Sequence, residues 1–298
     1  MTFAYHVNRH LAGRPLGLGL KETVVLPLAK RWISGVTLDS AIEDAKKANS
    51  KGIGAIVNFL GEEIKDPAEA DAHTSEYLRL QQAISDSGIN GFASVKLTQL
   101  GLGSDDPGMQ TRLDKIVVNS ERLNQLLWID MEGSPFIDAT MRTYLAVREK
   151  HKHVGIALQS YTRRSESDLK AILDAGGTVR LVKGAYRESR DFVYSTKREV
   201  NENFTKLLEI LFERGEGFAV GTHDSALIDK AKELTASRHV DFRFELLKGI
   251  RDDVKTDLVK SGFKVSEYLP YGDRWYAYSK RRITEHPSNV WLLLRSLV

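Results

Sequence analysis

From Gly52 onward the chain alternates between short apolar runs and longer stretches of mixed polarity. The runs are Ile53–Leu60, Phe92–Leu97, Leu126–Met131, Val154–Gln159, Thr178–Lys183, Phe218–Thr222, Phe242–Leu247 and Phe263–Leu269. Each is nearly continuous in its apolar character, as expected of a strand covered on both faces. A segment with helical spacing follows each run. Within 203–212, for example, Phe204, Leu207, Leu208 and Leu211 fall at i, i+3, i+4 and i+7, on one helix face. Glycine or asparagine precedes several runs, at Gly88 to Asn90, Gly176-Gly177, Gly215 to Gly217 and Gly262. Such residues suit helix ends and tight turns into the next strand.

Eight βα units in about 250 residues predict an α/β fold, a closed (βα)8 TIM-like barrel over residues 51–298. The alternative, an open doubly wound sheet, usually has fewer strands and often a glycine fingerprint after the first. Here Gly17-Leu18-Gly19 and Gly101-Leu102-Gly103 lack the third glycine and do not sit between a strand and a helix. No phosphate-binding loop of the Walker type is present. Residues 1–50 read as a short N-terminal helical arm. Leu38, Ala41, Ile42 and Ala45 share a face, with Thr37 or Asp39 as candidate N-caps. The arm is expected to pack on the barrel and close its bottom.

Composition narrows the chemistry. The 298 residues include no cysteine, which removes disulfides, cysteine zinc sites and thiol nucleophiles. The 43 basic and 40 acidic residues are interspersed and leave a formal charge of +3. This balance gives no support to nucleic-acid binding. Residues 1–21 lack a signal-peptide pattern, and no run of about 18 apolar residues occurs. A cytoplasmic protein is expected, with any membrane contact peripheral, at the inner face.

Barrel enzymes build their sites at the carboxyl ends of the strands. Here those ends carry Asn58 and Glu62, Lys96, Asp130 and Glu132, Gln159, then Arg180 and Lys183 before Gly184-Ala185-Tyr186. Thr222-His223-Asp224, Glu245 and Leu247 follow on the sixth and seventh strands. The eighth leads through Tyr268 and Pro270-Tyr271-Gly272 to Tyr278, Arg281, Arg282 and Glu285. Charges inside apolar strands are costly unless paired or used, so their recurrence at one end points to a site. A zinc barrel would want several histidines there, and only His223 qualifies. A Schiff-base aldolase could use Lys96 or Lys183, whose amines burial would depress in pKa. That reading leaves the paired arginines and the tyrosines unexplained. A barrel that only binds a ligand is a third reading. Two adjacent guanidiniums, Arg281 and Arg282, suit a small carboxylate. Tyr278 and Tyr268 would wall an apolar ring.

These residues resemble proline dehydrogenases. The fifth-strand run Arg180-Leu181-Val182-Lys183-Gly184-Ala185-Tyr186 and the block from Tyr268 to Glu285 carry the likeness most specifically. Leu60-Gly61-Glu62, Val95-Lys96-Leu97, Ile129-Asp130-Met131-Glu132, Gln159-Ser160-Tyr161 and Thr222-His223-Asp224 fall in the family's order. The likeness runs from roughly Arg31 to the C-terminus. It departs at Lys248-Gly249-Ile250, where relatives commonly carry an aromatic or histidine, then glycine, then methionine. The resemblance implies a monofunctional enzyme, without the aldehyde-dehydrogenase module of bifunctional relatives. It implies FAD held without a Rossmann glycine motif, and hydride transfer from L-proline to give pyrroline-5-carboxylate, the first step of proline catabolism. A membrane quinone is the implied electron acceptor, and a pyrroline-5-carboxylate dehydrogenase an implied partner. By the same resemblance, Arg180 and Gln159 contact the isoalloxazine ring, and Val182, Lys183, Gly184 and Ala185 line the cofactor. Thr222 and His223 hold the rest of it, and Glu285 supports it. Lys96, Arg281 and Arg282 bind the substrate carboxylate. Asp130, Tyr268, Tyr278 and Leu247 shape the pocket, and Glu62 pairs with an arginine as a gate.

Overall fold

The computed structural model describes residues 29–276, 278 and 279. Eight parallel strands close into one barrel in chain order. They are β1 (Gly54–Phe59), β2 (Gly91–Lys96), β3 (Leu127–Asp130), β4 (Val154–Gln159), β5 (Thr178–Val182), β6 (Phe218–Gly221), β7 (Phe242–Leu247) and β8 (Lys264–Tyr271). Each lies on one of the predicted runs. β8 extends beyond Leu269 because Pro270 and Tyr271 stay in register with Asn58 and Phe59 of β1.

Eight α-helices are described: α1 (Leu38–Asn49), α2 (Pro67–Asp86), α3 (Asp106–Arg122), α4 (Ser134–Lys150), α5 (Ser165–Asp174), α6 (Lys197–Arg214), α7 (Ser225–Ser237) and α8 (Asp252–Lys260). α2 to α8 are the crossovers of the parallel sheet. The predicted face of α6 is the buried one, with Phe204, Leu207, Leu208 and Leu211 all inside. Thr196 starts that helix through a capping box with Glu199.

Side chains alternate along each strand. One set, including Val95, Ile129, Leu181, Val220 and Leu246, joins the large core between sheet and helices. The other set points into the barrel, where Ile56, Trp128 and Ala219 pack with Phe92, Leu126 and Tyr268. Two residues above Trp128, the same parity delivers Asp130; two above Phe92, it delivers Ser94. The apolar floor of the barrel and the polar site above it are therefore consecutive layers of one interior.

Gly155 makes room for that floor. It pairs with Trp128 across β3 and β4, and a Cβ there would run into the indole ring. Overpacking a rigid core typically costs about 1–3 kcal/mol. Gly155→Ala should lower stability by that amount in denaturant unfolding. A loss under about 0.5 kcal/mol, the scatter of surface substitutions, would mean that the indole moves aside freely.

Of the two candidate N-caps, Thr37 caps α1, and the helix packs on the barrel, against the outside of β1 and β8. Ahead of it, Trp32 and Ile33 cluster with Leu60, Trp275 and Tyr278, which follow β1 and β8 at their carboxyl ends. The Ser34 amide donates to the Pro270 carbonyl at 2.7 Å. The described part of the arm thus seals the β8–β1 seam and borders the site's rim; it does not close the bottom. Its apolar face fits the groove left between the first and last strands. Lys248, in the loop that departs from the family pattern, pairs with Asp44 of α1 at 2.9 Å.

Candidate active site

A cavity of about 340 Å³ opens among the carboxyl ends of the strands. Lys96, Asp130, Gln159, Arg180, Val182, Lys183, Gly184, Ala185, Thr222, His223, Leu247, Tyr268 and Tyr278 all line it. So do Met131, Tyr186 and Glu245. The structure therefore brings together most of the residues singled out from the strand ends. Glu62 stands at the edge, in contact with Lys96. Arg281, Arg282 and Glu285 lie outside the described residues.

The floor of the cavity is a buried charge network. Arg180, 4% exposed, donates from Nε to Glu245 and from Nη1 to Asp130 at 2.7 Å. Its Nη1 also reaches the Ser94 hydroxyl at 3.2 Å. That hydroxyl donates to Asp130 at 2.8 Å, and the Tyr268 hydroxyl donates to the other Asp130 oxygen at 2.6 Å. The guanidinium carbon lies 4.6 Å from the Trp128 ring centre and 5.7 Å from that of Tyr268. Burial opposes the charge on Arg180, but Glu245 and Asp130 outweigh it and raise its pKa. Burial and the adjacent Asp130 also push the Tyr268 phenol up, so it remains a donor. Charges in apolar strands are here resolved by pairing with one another across the barrel.

At the mouth, Lys96 pairs with Glu62. Glu132, 3% exposed, accepts from the Thr98 amide at 3.1 Å and its hydroxyl at 2.5 Å. Burial pushes the Glu132 carboxyl up. For Lys96, burial alone would depress the ammonium. The Tyr186 oxygen and the Glu62 and Glu132 carboxylates outweigh it, and the pKa rises instead. The depressed amine that a Schiff-base lysine needs is therefore not found at this position.

The opposite wall is held by β4 to β7. Gln159 donates its amide to the Met131 carbonyl at 3.2 Å, which fixes its oxygen as the other end. Lys183 pairs with Asp224 at 2.8 Å, and Asp224 caps α7. Burial would raise the Asp224 carboxyl, but the Lys183 hydrogen bond holds it down at about 2. His223 accepts from the Leu247 amide at 3.0 Å through Nε2, so the neutral ring carries its proton on Nδ1. Gly184 has φ +101°, and a Cβ there would enter the Tyr161 ring; only glycine makes this turn cheaply. Beyond it, Glu188 accepts from the Ser134 amide at 2.7 Å and ties the loop to the start of α4.

Three buried polar atoms in this cavity have no partner among the described residues: Gln159 Oε1, Arg180 Nη2 and Glu245 Oε1. Buried donors and acceptors are normally satisfied. Two acceptors and a donor are thus left without partners on residues that line the cavity, and a group with both N–H and acceptor atoms along its edges would complement them. In the sequence Glu245 stands at a strand end with no role attached, and nothing marks Ser94. A small hydroxyl in an apolar strand carries no signal until its partners are known.

The family model described as Proline dehydrogenase matches residues 41–291. Proline dehydrogenase 2 of Bacillus subtilis (strain 168) is 34% identical over 265 residues, covering 88% of each chain. Proline dehydrogenase of Deinococcus radiodurans is 31% identical over 296 residues, covering 97% of this chain and 96% of the relative. A crystal structure of proline utilization A (PutA) from Bdellovibrio bacteriovorus, inactivated by N-propargylglycine, superposes with a TM-score of 0.82 at 23% identity. That match covers 90% of this chain and 33% of the longer one, and it concerns the fold. With a family match over most of its length, relatives above 30% identity and the shared barrel, the chain belongs to the proline dehydrogenase family.

Proposed function

We propose that the protein oxidises L-proline to pyrroline-5-carboxylate with FAD as its resident cofactor. The observation that carries this is the trio of unpartnered buried atoms, Gln159 Oε1, Arg180 Nη2 and Glu245 Oε1, on residues that line the cavity. An isoalloxazine ring offers N–H and acceptor atoms on its edges, so the residues fit it. Arg180 and Gln159 would hold the ring, with Val182, Lys183, Gly184, Ala185, Thr222 and His223 along the rest of the cofactor and Glu285 supporting it. When bound, FAD supplies the acceptor for the hydride that leaves the ring carbon next to the proline nitrogen.

The chain's own part is orientation and electrostatics. Lys96, with Arg281 and Arg282, receives the substrate carboxylate. Glu62 sits on Lys96, where an incoming carboxylate would replace one anion by another at little electrostatic cost. Tyr268 and Tyr278, both lining the cavity, wall the ring together with Leu247. Asp130 fixes Tyr268 through its hydroxyl, so that wall is rigid. No helix among the described residues is long and apolar enough to cross a membrane. Electron delivery to a membrane quinone would use a peripheral contact, and the product would pass to a pyrroline-5-carboxylate dehydrogenase. An aldolase reading has lost its support at Lys96, whose ammonium is stabilised.

Denaturing the purified protein should release FAD, and anaerobic proline should bleach the yellow holoenzyme. FMN, or no flavin after reconstitution with FAD, would overturn the assignment.

A further inference from the structure

The Arg180 network contains one carboxylate more than its cation requires. Asp130 already balances the guanidinium, accepts from Ser94 and holds Tyr268. Glu245 adds a second negative charge at 5% exposure and leaves one of its own oxygens without a partner among the described residues. Burying a charge is unfavourable, and apolar replacements of buried ionic groups are often neutral or stabilising. Folding alone therefore gives no reason for a carboxylate here. A glutamine could accept the same Nε hydrogen bond without the charge.

Position supplies the reason. Glu245 lines the same cavity as Arg180 and Gln159. Its grip on Nε, with that of Asp130 on Nη1, leaves Nη2 as the free corner of the guanidinium. The cluster of Arg180, Asp130 and Glu245 has a net charge of −1 when all three are ionised. A group in the cavity that takes up electrons gains negative charge, and an anion close by in a water-poor site opposes that gain. We infer that Glu245 is a positioning residue that aims Arg180 into the cavity and, through its charge, lowers the reduction potential of the bound flavin. The inference rests on the flavin reading above and goes beyond it.

The test is a redox titration of the anaerobic holoenzyme at pH 7, against a reference dye, for wild type, Glu245→Gln and Glu245→Asp. Glu245→Gln keeps the acceptor and removes the charge. It should favour the reduced flavin by about tenfold, an upward shift of about 30 mV for a two-electron couple. Glu245→Asp keeps the charge and should move the potential less than half as far. A change under threefold in Glu245→Gln overturns the inference. So does a shift in Glu245→Asp half as large or more, because geometry would then be responsible rather than charge. If Glu245→Gln loses flavin on purification, its affinities for oxidised and reduced FAD give the same quantity, since binding and reduction are linked. A protein that never holds flavin defeats the proposed function itself; a flavoprotein with an unmoved potential defeats only the role of Glu245.

Discussion

Replacing Arg180 with methionine is expected to destabilise the protein by about 3–5 kcal/mol, the usual cost of removing one partner from a buried ionic cluster, and to yield protein without bound flavin. Asp130 and Glu245 would be left facing each other's charge with no cation. The deficit of Arg180→Met should appear in guanidinium unfolding against wild type. Adding Glu245→Gln should return part of it, because the two sites are coupled. A loss below about 1 kcal/mol, within the ordinary range for single substitutions, would show that the network does not support the barrel.

The second large effect is expected at the carboxylate clamp. Lys96→Met, Arg281→Lys and Arg282→Lys should each lower kcat/KM for proline while flavin stays bound. Truncating one member of a buried, hydrogen-bonded charge pair typically costs on the order of 2–5 kcal/mol. That corresponds to roughly 30- to several-thousand-fold in kcat/KM. Lysine in place of arginine should not restore the rate, because it lacks the planar fork. If instead these are ordinary surface charges, their removal changes almost nothing. Turnover within about twofold of wild type in all three variants, a difference of only ~0.4 kcal/mol, would remove the clamp.

Some of this was open to reading along the chain, and the reasons are local. A strand buried on both faces must be apolar throughout, so the eight runs declared themselves, and β4 and β7 agree with the structure to the residue. The face of α6 follows from a 3.6-residue period. The turn at Gly184 belongs to a contiguous run whose resemblance to the family is specific. Charges within apolar strands announced that a site exists and at which end of the barrel.

The pairing within the site had no such signature. Arg180 meets Asp130 across 50 residues of chain and Glu245 across 65; Tyr268 meets Asp130 across 138. Barrel closure and strand register bring them together, and neither is periodic. The same holds for Lys96. Its burial was foreseeable and argued for a depressed pKa. The direction reverses because the loops after β5, β1 and β3 place Tyr186, Glu62 and Glu132 nearby. The arm follows this rule too: the amphipathic face of α1 is written in its sequence, but the β8–β1 groove that receives it exists only after closure. Sequence by itself determined the elements, their order and the end of the barrel where chemistry gathers, because those depend on the burial of each residue in its own segment. Only the tertiary structure decided which charges cancel, which buried atoms are left without a partner and where the arm docks, because electrostatic energy depends on distances in space that the chain's linear order does not contain.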